Sequence, residues 1–295
     1  MARSILVTGA TGKTGEYATA ALLRRGLHVR ALVHRAGERS EKLTAAGAEV
    51  VVGDLLDLDS VSRAADGVDA AYFVYPVAPG LLEATATFLQ AAEENGVRSI
   101  VNMSQISARR DAVSNAARQH WVAERLLDHF GGTVTHLRPT FFAEWLISTF
   151  DRSTGELRLP FEDARHAPIA TEDLGRVIAA VLADPEPHAG KSYPLYGAVE
   201  LDHHQMAEIM TRVLGRHVTY VPVELDEFQA GLEKRGADPH FVQHMVNIAI
   251  DYRNGIFTGN NDVVRTITGT GPLMVDAFIE RNKPAFADSA NWNRR

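Results

Sequence analysis

The feature that most constrains this chain lies in its first fifteen residues. An apolar run, Ile5-Leu6-Val7, leads into Thr8-Gly9-Ala10-Thr11-Gly12-Lys13-Thr14-Gly15, in which three glycines are spaced three apart. A helical pattern follows through Tyr17, Ala18, Ala21, Leu22 and Leu23 and stops at Gly26. The order is strand, tight loop, helix. Gly9 lets the chain turn sharply off the strand, Gly12 lets backbone approach a pyrophosphate, and Gly15 lets the helix pack close to a sheet. The helix then directs free N–H groups and the positive end of its dipole at phosphates. Chance loops match a bare glycine pattern, and a structural turn in another α/β protein would carry the same letters. Its place between a strand and a helix favours a dinucleotide site.

The alternation continues. His28 to Val33 reads as a second strand, Glu49 to Asp54 as a third, Val68 to Val74 as a fourth, Ser99 to Met103 as a fifth and Val134 to Pro139 as a sixth, with helical patterns between them. The fourth is almost continuously apolar, as a strand buried on both faces should be. This predicts an α/β fold with a Rossmann-like doubly wound parallel sheet over residues 1–150. Beyond Pro139 the alternation fails. Residues 151–295 are expected to form a smaller C-terminal α+β substrate lobe, and a strand near 192–196 is expected to rejoin the sheet. Phe141-Phe142 and Trp145-Leu146-Ile147 suit a pocket wall, although core packing explains them equally well.

Composition narrows the function classes. The net charge of −7 supplies no general phosphate-neutralising surface, so no direct nucleic-acid partner is expected. With no cysteine, disulfides, thiolate metal sites and a cysteine nucleophile are excluded. No apolar run approaches membrane-spanning length and strand pattern begins by Ser4, so the chain reads as cytoplasmic with no membrane partner. His240 and His244 have the i, i+4 spacing of helical zinc ligands. With no glutamate in the metalloprotease position and no third ligand, they read as a solvated helix face, and no metal is assigned. His203-His204 stands at a helix start, where sequential neighbours point in different directions. Ser104 lacks the glycine of a nucleophile elbow.

At the end of the second strand, where NAD-specific sites carry an acid for the ribose hydroxyls, this chain has Arg35, with no Asp or Glu before Glu38. That favours a 2′-phosphate, hence NADP(H). Lys13 offers a second positive charge. Both side chains would look the same if they were only solvated surface charges. Asp54 is placed either to hydrogen-bond an adenine amino group or to cap the next helix.

These residues, with Val33-His34-Arg35, Gly53-Asp54-Leu55, Tyr72-Phe73-Val74, Met103-Ser104, Leu137-Arg138-Pro139-Thr140-Phe141-Phe142 and Phe257-Thr258-Gly259-Asn260-Asn261-Asp262, resemble the short-chain dehydrogenase/reductase superfamily. Within it they look most like the atypical NmrA-like group, which includes NADP-sensing regulators and bacterial NAD(P)H:quinone oxidoreductases. The resemblance implies a phosphate loop of Gly9, Thr11, Gly12, Lys13, Thr14 and Gly15. It makes Arg35 the 2′-phosphate partner and Asp54, with Leu55, an adenine contact. Tyr75 and Ser104 would lie toward the nicotinamide, and Pro139 would be a further cofactor contact. The chain departs from the superfamily at the catalytic pair, because no Tyr is followed four residues later by Lys, and no lysine occurs between Lys42 and Lys191. The corresponding helix reads His120-Trp121-Val122-Ala123-Glu124. His120 and Glu124 lie one turn apart, so a carboxylate could hold an imidazolium proton near neutral pH. His120, with Ser104, is therefore the candidate catalytic donor; the alternative is a helix-surface histidine paired with Glu124.

Two functions follow. One is an NADPH-dependent oxidoreductase that passes hydride to a small-molecule, quinone-like or otherwise conjugated acceptor in a cleft between the lobes, with a homodimer allowed. The other is a non-catalytic NADP(H) sensor acting through a protein partner.

Overall fold

In the computed structural model, which describes residues 3–287, the first half of the chain alternates without exception. It runs β1 (Ser4–Val7), α1 (Lys13–Arg24), β2 (His28–Val33), α2 (Glu38–Ala45), β3 (Glu49–Val52), α3 (Leu58–Ala65), β4 (Ala70–Phe73), α4 (Leu81–Glu94), β5 (Ser99–Met103), α5 (Asn115–Leu127) and β6 (Thr133–Pro139). The remainder is mixed: α6 (Trp145–Thr149), β7 (Phe150–Asp151), β8 (Glu156–Leu159), α7 (Thr171–Ala183), β9 (Ser192–Leu195), α8 (His203–Leu214), β10 (Thr219–Pro222), α9 (Leu225–Lys234), α10 (Pro239–Arg253), α11 (Val263–Thr268), α12 (Val275–Arg281) and α13 (Lys283–Ala287).

A seven-stranded sheet has the order β3-β2-β1-β4-β5-β6-β9. The pairings from β3 through β6 are parallel, with Val7 opposite Ala31 and Tyr72, and Met103 opposite Leu137. The strand order reverses at β1, between β2 and β4, and open sheets of this kind take ligands at the carboxyl ends of strands beside such a switch point. All four residues of β4 are buried, in keeping with their apolar run. On one face Phe73 stacks on Phe88 of α4, ring centroids 4.6 Å apart, in a core with Leu6, Leu32, Ile100 and Leu127. Elsewhere α1 and α7 approach so closely that a Cβ on Gly175 would stand 2.5 Å from the Tyr17 Cβ.

The chain forms two compact units, but they do not meet at a single boundary near 150. The first takes the chain up to Ala112, then Ala116–Arg138 and Glu172–Tyr193; the second takes Val113–Asn115, Pro139–Thr171 and the described residues from Pro194 onward. The interlacing has a physical cause in each unit. Helix α7 packs on α1, and β9 extends the sheet, as the apolar pattern near 192–196 suggested. Residues 113–115 are held by α10, where Gln243 Nε2 donates to the Val113 carbonyl and Gln243 Oε1 accepts the Asn115 N–H, both at 3.0 Å. Ser114 Oγ lies 2.8 Å from His244 Nδ1. His244 is buried by this clasp, so the expectation of a solvated His240/His244 helix face is corrected.

The second unit contains a three-stranded sheet, β10-β8-β7, with β10 parallel and β7 antiparallel to β8. Helix α8 starts with a capping box in which Asp202 accepts the Gln205 N–H at 2.8 Å and the Gln205 side chain accepts the Asp202 N–H. Among the described residues no helix is long and apolar enough to cross a membrane.

Candidate functional site

The glycine loop follows β1 directly. Thr8 Oγ1 donates to the Val74 carbonyl at 3.1 Å and accepts the Val74 N–H at 2.9 Å, which ties the carboxyl ends of β1 and β4 together at the switch point. Gly9 has φ +54°, and a Cβ there would stand 2.8 Å from Val74 Cγ1. The loop then curls on itself: Gly12 N–H donates to the Gly9 carbonyl at 2.8 Å, and a Cβ on Gly15 would stand 2.3 Å from the same oxygen. Because α1 begins at Lys13, its first-turn amides have no intrahelical acceptor, which is the condition for an anion site. Thr14 is buried and accepts the Tyr72 hydroxyl at 2.8 Å; burial raises the phenol well above its usual range, so Tyr72 remains a donor that pins the helix start to β4.

The predicted residues Arg35, Asp54, Tyr75 and Ser104 follow the carboxyl ends of β2, β3, β4 and β5 in the first unit, so one sheet edge collects them with the loop. Pro139 closes β6 and falls in the second unit. Arg35 is exposed. A residue that the sequence did not single out, Arg39 in the first turn of α2, reaches back and donates to the Thr11 carbonyl at 3.2 Å. Asp54 accepts the Leu56 N–H at 3.0 Å, and Leu55 between them is half-buried. The cap of α3 is Asp57, which accepts from Ser60 at 3.3 Å, so the capping alternative for Asp54 is not realised. Tyr75 donates to the Pro79 carbonyl at 3.1 Å, and burial, with lesser help from the Asp54 and Glu83 carboxylates, raises its phenol. Ser104 is 4 % exposed, and its Oγ has no hydrogen-bond partner. An unsatisfied buried hydroxyl at a strand's carboxyl end fits a site completed by a ligand.

For His120 the helix-surface alternative and the carboxylate-held imidazolium both fail, while the hydrogen-bond donor role remains open. His120 is 5 % exposed, so it is not on the helix surface. Burial lowers its pKa to about 4 and outweighs the smaller opposing effect of Glu124, so the imidazole is neutral near pH 7. Glu124, itself 0 % exposed, forms a two-pronged pair with Arg138 of β6: Arg138 Nε donates to Oε1 at 2.8 Å and Nη2 to Oε2. The expected proton held by Glu124 is therefore corrected. A neutral His120 can donate a hydrogen bond but is not a general acid at neutral pH.

The second unit contains a small apolar pocket, partly open to solvent. Phe141, Phe142 and Trp145 line it, as their cluster suggested, together with Phe161, His166 and His203. Phe141 follows β6 by two residues. Phe161 stacks on Tyr252 at 4.3 Å and on His203 at 5.1 Å. Tyr252 bonds His166 Nδ1 through its hydroxyl. Burial lowers the His166 pKa well below the usual range, with the neighbouring His203 adding to the effect, and lowers that of His203 to about 3. The sequence pattern assigned neither histidine to a site. A signal for His203 was present: His203, Met206, Ala207 and Met210 follow i, i+3, i+4, i+7, and all four are buried, whereas His204 is exposed.

The switch-point sheet with its glycine loop defines a Rossmann-type α/β protein. The NmrA-like family model matches residues 1–253, and the chain belongs to that family. An NAD(P)H azoreductase from Xenophilus azovorans is 27 % identical over 290 residues, 96 % of this chain and 99 % of the relative. Among solved structures, a quinone oxidoreductase from Escherichia coli complexed with NADPH superposes with a TM-score of 0.83 at 22 % identity, covering 94 % of this chain and 99 % of the other. NmrA, a negative transcriptional regulator, in complex with NADP gives 0.82 at 18 % identity with 99 % of each chain covered. At these identities the structural matches speak to the fold.

Proposed function

We propose that this protein is an NADPH-preferring oxidoreductase that reduces a quinone-like or other conjugated small-molecule acceptor. The observation that carries the reading is the sheet edge in the first unit, where the glycine loop, Arg35, Asp54, Tyr75 and the unsatisfied Ser104 hydroxyl all follow strand carboxyl ends. The azoreductase relative, matched along nearly its whole length, supports the same class.

When bound, the nicotinamide cofactor supplies the hydride. The first-turn amides of α1 take the diphosphate. Arg35 takes the 2′-phosphate, with Arg39 of the neighbouring helix available to assist, and Asp54 beside Leu55 takes the adenine. Ser104 Oγ gains the hydrogen bond it lacks. His120 contributes a neutral N–H. Hydride addition to a quinone gives a stabilised phenolate, so the absence of a Tyr/Lys proton donor is less damaging there than for an unactivated ketone.

The second reading, an NADP(H) sensor acting through a protein partner, is favoured by that same absent pair. NADPH oxidation with a panel of quinones, aldehydes and azo dyes separates the two: turnover with an acceptor supports the reductase, whereas tight coenzyme binding with no turnover, together with a recovered partner, supports the sensor. Calorimetry with NADPH and NADH tests the coenzyme preference, and an unchanged preference in Arg35→Ala removes Arg35 from it.

A further inference from the structure

Tyr75 stands two residues beyond the end of β4, on the side of β1 that leads to β5 and Ser104. Strand order alone would assign it to the same half of a bound coenzyme as Ser104, as the family resemblance does. Its side chain takes another direction. A Cβ built on Gly80, the residue before α4, would stand 2.8 Å from the Tyr75 hydroxyl oxygen and 3.4 Å from Leu56 Cδ2, so the two side chains converge on one point. Leu56 belongs to the connection between β3 and α3, on the other side of β1 from β5. Gly80 has φ +101°, so backbone and space both require glycine where they meet.

The ring is held in that direction. Its hydroxyl donates to the Pro79 carbonyl at 3.1 Å, which closes the turn ahead of α4. Tyr75 packs with Leu55 and Val51 on the core cluster that α3 and α4 share. Asp54, the residue assigned to adenine, accepts the Leu56 N–H, and its carboxylate lies near enough to the phenol to add to the effect of burial in raising it. Leu56 is 40 % exposed, and Tyr75 beside it is half-buried. Covering such apolar surface with the face of a flat ring is favourable.

We propose that Tyr75 binds the adenosine half of the coenzyme rather than the nicotinamide, forming with Leu56 one wall of the adenine slot and held there by the Pro79 carbonyl. The proposal rests on the coenzyme site of the reductase reading and specifies which half of the coenzyme this residue meets. Adenine is neutral and planar near pH 7, so the wall has to supply apolar surface rather than charge. A phenol has a single O–H to donate, and Tyr75 gives its own to Pro79. Tyr75 is therefore no substitute for the absent catalytic tyrosine.

The probe that separates the two halves is 2′,5′-ADP, which carries the adenosine and its 2′-phosphate but no nicotinamide. In calorimetric titrations Tyr75→Ala should weaken 2′,5′-ADP and NADPH by the same factor, roughly tenfold. Tyr75→Phe, which keeps the ring and frees the turn, should weaken both roughly threefold. Weakened NADPH with 2′,5′-ADP unchanged places Tyr75 at the nicotinamide and overturns the proposal, as does no change in either. The unsubstituted chain gives a readout that does not depend on how the variants fold. In perdeuterated protein with protonated tyrosine, the Tyr75 ring should show nuclear Overhauser contacts to the adenine H2 or H8 of bound NADPH; contacts to the nicotinamide ring instead, or none to adenine, overturn the assignment. If neither 2′,5′-ADP nor NADPH binds the unsubstituted chain, the slot and the reductase reading fall together. Turnover of an acceptor with binding that ignores position 75 rejects the slot and spares that reading. Binding that depends on Tyr75, without turnover of any acceptor, supports the slot and rejects the reading.

Discussion

The two units build their candidate sites from different materials. In the first, the site is mostly backbone: a loop in which Gly9 and Gly15 leave no room for a Cβ, the first-turn amides of α1 and the ends of parallel strands. In the second it is mostly side chain, with rings from α6, α8, α10 and the segments between them packed around two neutral histidines. A backbone site depends on shape and tolerates little change at its glycines. A side-chain site of buried rings depends on packing and on remaining uncharged.

The sharpest test of that contrast is acid. His166 and His203 in the second unit and His120 in the first have folded pKa values below the unfolded value near 6.5, at about 3 for His203 and about 4 for His120. Below pH 6.5 the unfolded chain therefore binds protons that the folded chain does not, so stability falls as pH drops from 6.5 toward those folded values. At pH 5 the loss is about 2 kcal/mol for His120 and for His203, and His166 adds to the loss in the second unit in the same direction. Denaturant midpoints of wild type, His203→Phe and His120→Phe between pH 7 and 5 measure it; identical slopes in all three would break the contrast.

Next in size is Arg138→Met, which takes the two-pronged partner from the fully buried Glu124 and leaves it Arg125, 3.5 Å away. The expected loss is about 3 kcal/mol, recovered in part by Glu124→Gln in the same chain. This pair is the side-chain exception within the first unit. A loss under about 1 kcal/mol in urea unfolding would show that the exception carries little.

Gly15→Ala should cost about 1–3 kcal/mol, because its Cβ meets backbone at Gly9 and Ala10 that cannot move aside, and should weaken NADPH binding by more than tenfold. Met206→Leu in the aromatic pocket changes shape but not volume and should cost less than about 1.5 kcal/mol. Similar melting shifts for the two would erase the distinction. The smallest effect is Arg39→Ala, which removes a charge anchored on the Thr11 carbonyl. NADPH affinity should fall roughly tenfold with NADH affinity little changed.

The first unit was legible because its determinants are local. A strand, a glycine spacing and a helix start lie within fifteen residues, and Leu81–Glu94 and Ser99–Met103 agree with the boundaries that apolar periodicity assigns them. His120 was not, because helical spacing shows Glu124 one turn away but not Arg138, which arrives from β6 and takes that carboxylate. Burial of the imidazole then decides its charge, and burial is not local information. The second unit was legible only in part. Phe141, Phe142 and Trp145 stood out as a cluster, whereas His166 and His203 meet Tyr252 only through contacts distant in sequence. The His203-Met206-Met210 stripe is present in the sequence, but the adjacent His203-His204 pair, with one ring buried and the other exposed, masks it.

The path of the chain between its two units has an evolutionary and practical consequence. Since the polypeptide passes from one unit to the other after residues 112, 115, 138, 171 and 193, neither half is a transferable cassette. A polypeptide ended at 150 would lose the α7 helix and the outermost strand of the large sheet. Diversification in such an architecture is expected to proceed by altering loops in place rather than by exchanging a whole lobe.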